Sequence, residues 1–122
     1  MRVISGKARG MKLFSPPQDH VRPMLDRVKE SLFSIIASEV PGASVLDLFA
    51  GCGALGIEAL SRGARSCTFV EKSREVVAVL KRNLEKTRLC SQARIVVRDV
   101  FLALPALAAH EAASHYATAG FT

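Results

Sequence analysis

The sequence predicts an α/β fold built around a parallel sheet, and three observations carry the prediction. An apolar run from Val45 to Phe49 is too short for a helix and breaks at Gly51, as a buried strand does on entering a tight turn. Two further runs, Ser66–Val70 and Arg94–Arg98 around Ile95-Val96-Val97, are set apart from it and from each other by segments of helical periodicity. Each of the three carries a carboxylate near its carboxyl end: Asp47, Glu71 and Asp99. Their spacing is close to the roughly 30 residues of a strand–helix–strand unit. Right-handed crossovers make such strands parallel, and ligands of open sheets lie across the carboxyl ends of the strands.

Bulk properties bound the rest. With 122 residues, 49% of them hydrophobic, the chain suffices for one domain with a real core. A formal charge of +6 attracts polyanions such as nucleic acid. The opening Met-Arg-Val-Ile-Ser-Gly-Lys turns polar too soon for a signal peptide, and no later run is long enough to span a bilayer. A cytoplasmic protein without a membrane partner is expected. Cys52, Cys67 and Cys90 are odd in number and lack C-x-x-C pairing, so they read as reduced, largely buried small side chains and not as a metal site.

Residues 1–20 read as a basic hairpin and linker. Val3-Ile4 and Met11–Phe14 flank the turn-forming Gly6–Gly10, while Arg2, Lys7, Arg9 and Lys12 carry positive charge with no acid among the first eighteen residues. Charge alone leaves two readings open, a solvated face and a phosphate-contacting platform. Ser15–His20 is a linker by composition, and Pro23 marks the first turn of a helix running to about Ser38. Leu25, Val28, Leu32, Ile35 and Ile36 form its predicted inner face; Arg27, Lys29 and Glu30 form its outer one.

A second helix should start just beyond Gly53 and run to Arg62, with Leu55, Ala59 and Leu60 inward and Gly63 ending it. Ser73 is placed to cap a longer helix whose inner face is Val76, Val77, Leu80 and Leu84. Lys81, Arg82, Lys86 and Arg88 fall toward its C-terminal half, where they complement the helix dipole. Leu102–His110 is the third crossover helix. The alanine-rich residues 111–122 have neither a β-branched run nor a proline pair, and are expected to be poorly ordered.

The ligand is narrowed by the turn. Gly51, Gly53 and Gly56 fit the G-x-G-x-x-G spacing, which by itself is a weak signal. Glu71 lies 20 residues beyond Gly51, the separation at which an acid accepts hydrogen bonds from the ribose of an adenosine moiety. NAD would place a pyrophosphate over the turn, close to the negative Asp47. S-adenosylmethionine has no phosphate and carries a positive ammonium and sulfonium, so Asp47 favours it. An NAD-binding oxidoreductase domain stays as the alternative.

Asp47-Leu48-Phe49-Ala50-Gly51-Cys52-Gly53-Ala54-Leu55-Gly56-Ile57-Glu58-Ala59-Leu60 closely resembles the cofactor motif of the RsmD family of bacterial small-subunit ribosomal RNA guanine methyltransferases. Arg2 to Gly10 is similar to that family's start, and Arg22-Pro23 with Asp26 to Phe33 to its second signature, with Val21 and Met24 in place of the usual threonines. The resemblance covers about residues 1–110. It implies a Rossmann-like S-adenosylmethionine-dependent methyltransferase fold, here incomplete, with an N-terminal hairpin and helix before the sheet. Residues 21–110 would be its cofactor-binding half.

By the same resemblance, Asp47 and the backbone around Ala50, Gly51 and Gly53 would hold the methionine end, Glu71 the ribose, and Asp99 with Val100 the adenine. The acceptor would be the exocyclic amine of a guanine in the ribosomal RNA of the small subunit. Arg2, Lys7, Arg9, Lys12, Arg22 and Arg27 would contact that RNA. The family's fourth strand ends in Asp or Asn followed by Pro-Pro-Tyr or Pro-Pro-Phe, and no such motif occurs here, so no catalytic residue is assigned. The expectation is a truncated or frame-shifted chain with impaired or no turnover; a non-enzymatic RNA-binding remnant is the further alternative. If the strand order is 3-2-1, the strand at 45–49 would be an open edge prone to self-association.

Overall fold

A strand of four residues is buried on both faces only if helices cover both sides of its sheet, and every residue of β1 (Ser44–Asp47) is buried. The computed structural model describes residues 1–16, 26–110 and 116–119. Within them β1 pairs in parallel with β2 (Ser66–Glu71), and β2 with β3 (Ala93–Val97), as the three apolar runs predict. The helices are α1 (Asp26–Ile36), α2 (Ala54–Ser61), α3 (Arg74–Thr87) and α4 (Val100–His110), with short 3-10 turns at Ala37–Glu39 and Cys90–Gln92. Ser73 caps α3 as expected, its hydroxyl accepting from the Val76 amide.

One difference concerns the edge. Tyr116–Ala119 forms a fourth strand, β4, parallel to β1 from Ser44↔Tyr116 to Asp47↔Ala119, so the order is β3-β2-β1-β4. The expected poorly ordered tail therefore contains a strand, while residues 111–115 and 120–122 lie outside the described residues. A ladder is made by backbone amides and carbonyls, which any extended segment supplies without a β-branched run. β1 is thus an inner strand, and the self-association expected of an open β1 edge loses its structural basis.

The sheet separates two apolar clusters. One face holds Val45, Cys67 and Phe69 against Leu55, Ile57 and Leu60 of α2, Leu80 and Leu84 of α3, Phe33 of α1, and Val3, Ala8 and Leu13 of the N-terminal arm. The other packs Leu46 and Val70 on Ala103 and Leu107 of α4. Two successive crossovers thus cover one face and the third covers the other. The direction of winding reverses between β1 and β4, the kind of place where open α/β sheets bind ligands.

The arm is a hairpin, as predicted: Arg2 bridges Lys12 in antiparallel sense, and the Val3 and Gly10 amides donate to the Met11 and Val3 carbonyls. It lies along α2. Its turn sits at the helix's C-terminal end, where the Lys7 and Ala8 amides donate to the carbonyl and hydroxyl oxygens of Ser61. A Cβ on Gly6 would meet that carbonyl oxygen at 1.8 Å, so only glycine allows this approach.

Helix α1 departs from its predicted faces. Lys29 and Phe33 are the buried residues, while Val28 and Ile35 are 52% and 81% exposed. Lys29 turns inward because Glu58 of α2 meets its ammonium at 3.1 Å, a partner that the hydropathy pattern of α1 cannot reveal. Cys52 and Cys67 are buried as expected, but Cys90 is exposed, in the 3-10 turn before β3. Pro23, Arg22 and the linker beyond Pro16 lie outside the described residues.

Candidate functional site

The turn between β1 and α2 is shaped by two left-handed glycines, Gly51 (φ 55°) and Gly53 (φ 95°). Gly56, one turn into α2, serves packing: a Cβ there would stand 2.2 Å from the Phe69 ring and 2.8 Å from Cys67 Sγ, so its absence lets α2 lie directly on β2. Three of the turn's amides are already engaged. Ala50 donates to the Val70 carbonyl at 3.0 Å, Gly51 to Glu71 Oε1 at 3.2 Å, and Gly53 to the Ala50 carbonyl at 2.9 Å. A pyrophosphate needs such amides as donors. This turn has none of these three to give.

Asp47 ends β1 beneath the turn, 1% exposed, and neither carboxylate oxygen has a hydrogen-bond partner. Burial pushes its carboxyl from 3.8 up to about 7, and the negative Glu71 adds to the rise. The Gly56 and Phe49 amides temper the shift without closing a hydrogen bond. An unpartnered buried carboxylate is costly unless a donor or cation comes to meet it.

Glu71, at the end of β2, ties the turn to α3. Its Oε1 accepts from Gly51 and its Oε2 from the Ser73 amide at 2.8 Å. A carboxylate offers about four lone-pair sites, so two stay available to ligand hydroxyls. Asp99, beyond β3, caps α4: its Oδ1 accepts from the Phe101 amide at 2.9 Å, and its carbonyl from Leu102 and Ala103. Glu71, Asp99 and Val100 converge on one cleft of about 210 Å³, walled also by Phe49, Phe101 and Arg98. That is below the roughly 300 Å³ of the smaller ligand pockets and suits one moiety of a ligand, not the whole. Asp47 does not line this cleft; it lies under the adjoining turn.

The cationic candidates divide. Lys7 and Arg9 are exposed on the hairpin turn, at the opposite end of α2 from the glycines. Arg2 pairs with Asp26 at 3.6 Å, Lys12 and Arg27 are exposed, and Arg22 lies outside the described residues.

Sequence reasoning missed Asn83 of α3. Its side chain is fully buried: Oδ1 accepts from the Phe14 amide at 2.7 Å, and Nδ2 donates to the carbonyls of Phe14 at 3.0 Å and Cys52 at 2.9 Å. It joins the arm, α3 and the glycine turn. The signal was present, because Asn83 falls three residues after Leu80 on the inner face of the helix. Among the described residues, no helix is long and apolar enough to cross a membrane.

The family model described as "Conserved hypothetical protein 95" matches residues 1–116. The ribosomal RNA small subunit methyltransferase D of Escherichia coli K12 is 46% identical over 96 residues, which are 79% of this chain and 48% of that protein. Its Haemophilus influenzae namesake is 41% identical over 99 residues, 81% of this chain and 51% of its own. The structure of a hypothetical protein from Thermus thermophilus superposes with a TM-score of 0.79 at 37% identity, covering 90% of this chain and 62% of that one. The chain spans about half the length of the two curated relatives.

Proposed function

The chain belongs to the RsmD family of bacterial small-subunit ribosomal RNA guanine methyltransferases, and on that premise we propose that its residues form the S-adenosylmethionine-binding part of such an enzyme. The observation that carries the reading is Asp47, a buried carboxylate with both oxygens unpartnered, set under a glycine turn in which the Ala50, Gly51 and Gly53 amides are already engaged. That pairing refuses a phosphate and suits a cation.

When bound, S-adenosylmethionine would supply a methyl carbon on a positively charged sulfur, which a guanine amine nitrogen displaces: the new C–N bond forms as the C–S bond breaks, S-adenosylhomocysteine leaves as a neutral thioether and the amine gives up a proton. The residues present fit it. Asp47 offsets the positive charge of the methionine end, and the backbone around Ala50, Gly51 and Gly53 faces that end. Glu71 takes the ribose hydroxyls on its remaining lone pairs, and its tether to Gly51 keeps ribose site and turn in register. Asp99 and Val100 flank the adenine in the cleft walled by Phe49 and Phe101, where exposed aromatic faces offer stacking.

The acceptor is the exocyclic amine of a guanine in small-subunit ribosomal RNA, reached in the cytoplasm where ribosomes work, and the basic arm contributes sequence-independent affinity for it. No residue of this chain supplies the Asp/Asn-Pro-Pro-aromatic element that positions the amine. Binding of the methyl donor is therefore the function assigned to these residues.

Calorimetric titration of the full chain with S-adenosylhomocysteine and with NADH tests this. The first is expected to bind and the second not; the reverse result would overturn the reading. Asp47→Ala should abolish the heat, with exposed Glu75→Ala as the silent control.

A further inference from the structure

Phe14 is the one aromatic residue of the arm, and it is 36% exposed at the arm's glycine-turn end. Two cations of α3 lie against its ring, the Arg82 guanidinium at 4.1 Å from the centroid and the Lys86 ammonium at 4.9 Å. Both are exposed, as are Lys12, two residues before Phe14, and Lys81, beside Arg82. The helix dipole accounts for positive charge in the last turn of α3 and does not require a ring beneath it. Nor is the arrangement floppy. Asn83, between the two cations' turns, clamps both backbone polar groups of Phe14 and the Cys52 carbonyl of the glycine turn.

We propose that Phe14, Arg82 and Lys86 form a stacking and phosphate platform for a single-stranded segment of RNA, held in fixed relation to the methyl-donor turn through Asn83. This rests on the RNA-methyltransferase reading above and specifies where that RNA approaches. Arg82 and Lys86 lie over the Phe14 ring, so the surface offered is an aromatic ring layered with a guanidinium plane and an ammonium, which matches unpaired nucleotides, whose bases stack on aromatic and guanidinium planes and whose phosphates pair with cations. A double helix hides its base faces, and an acidic peptide offers charge without a base to stack. The exposed cations of the hairpin turn, Lys7 and Arg9, sit at the far end of α2, so they are placed for more distant backbone contacts.

The test is fluorescence anisotropy of the full chain with a labelled twelve-nucleotide unstructured RNA and with an abasic ribose-phosphate chain of equal length. Phe14→Leu keeps the apolar bulk and removes the stack; melting curves check its fold. It is expected to weaken RNA binding about fivefold or more, to leave the abasic affinity unchanged, and to keep the salt slope. Arg82→Gln and Lys86→Gln should each lower the magnitude of the slope of log affinity against log salt by about 0.7. If Phe14→Leu binds RNA as the parent does while Lys7→Gln/Arg9→Gln does not, the platform is wrong and the RNA reading survives. If the parent binds S-adenosylhomocysteine but no RNA, the RNA reading falls and takes the platform with it. Displacement of the RNA by polyglutamate at equal charge concentration would show a generic polyanion surface and overturn the proposal.

Discussion

The Lys29 ammonium and the Glu58 carboxylate meet at 3.1 Å with neither side chain exposed to solvent. Glu58 also accepts from Arg62 Nε at 2.8 Å and from the Ile4 and Ser5 amides. One carboxylate thus joins α1, α2 and the N-terminal arm. Removing one partner of a buried pair strands the other and costs about 3–5 kcal/mol. Glu58→Ala leaves the Lys29 charge unpaired, with the Arg2 carbonyl as its remaining acceptor, and strands the Ile4 and Ser5 amides, so it is expected to destabilise the fold by about that much in urea unfolding. A loss under about 1 kcal/mol, the range of exposed ion pairs, would show that solvent reaches the pair.

Gly56→Ala is expected to cost about 1–3 kcal/mol or more, since overpacking a filled core forces neighbours off their rotamers. The added methyl would sit 2.2 Å from Phe69, itself fully buried, and the rigid ring cannot swing aside. Phe69→Leu in the same chain should recover part of the loss by opening space. Thermal melting of the two variants decides the matter: no recovery would place the strain elsewhere.

The Asn83 amide has a forced orientation, because its oxygen faces an N–H and its nitrogen faces two carbonyls. Asn83→Asp replaces the donor with a second acceptor aimed at those carbonyls. Leaving a buried polar group unmet costs about 1–3 kcal/mol, and more for a charge. Asn83→Asp is therefore expected to unfold at lower urea than Asn83→Ala at pH 8. Equal midpoints would mean that water satisfies the site.

How much of this could be read from the chain varies with how local the cause is. β1, β2 and β3, the glycine turn and the Ser73 cap follow from runs and spacings within a few residues, and the structure has them. The hydropathy stripe of α1 puts Lys29 on the outer face because it registers only the charge, whereas the partner that draws Lys29 inward, Glu58, comes from another helix. The same blindness put Val28 and Ile35 inside. β4 is not legible because Tyr116 and Thr118, which favour strands, alternate with alanines in a four-residue segment too short to signal a strand by itself; its parallel pairing with β1 is what marks it. In the site, the carboxylates at the strand ends were legible from spacing. That the Ala50, Gly51 and Gly53 amides are consumed internally was not, although it bears on the choice between phosphate and cation.

Asp47 links stability, pH and ligand in one group. Its carboxyl is raised from 3.8 to about 7 in the folded chain, so folding favours the protonated form. The stability it permits is therefore full below about pH 4 and is lost as pH rises through 7. Each unit of such a rise is worth about 1.4 kcal/mol, which makes the cost of the ionised form on the order of 4 kcal/mol. Asp47→Asn removes that cost, so the variant should match the parent's stability near pH 4 and exceed it at pH 8. The ligand works in the opposite direction. A cation is met by the ionised form, so S-adenosylhomocysteine should bind the parent up to about tenfold more tightly per pH unit between 5.5 and 7, levelling off above. Binding at pH 6 should release a proton, visible as a heat that changes with the ionisation enthalpy of the buffer. Asp47→Asn should bind weakly with no pH dependence. A parent profile that is flat across this range, with no proton released, would remove Asp47 from the cationic end of the ligand.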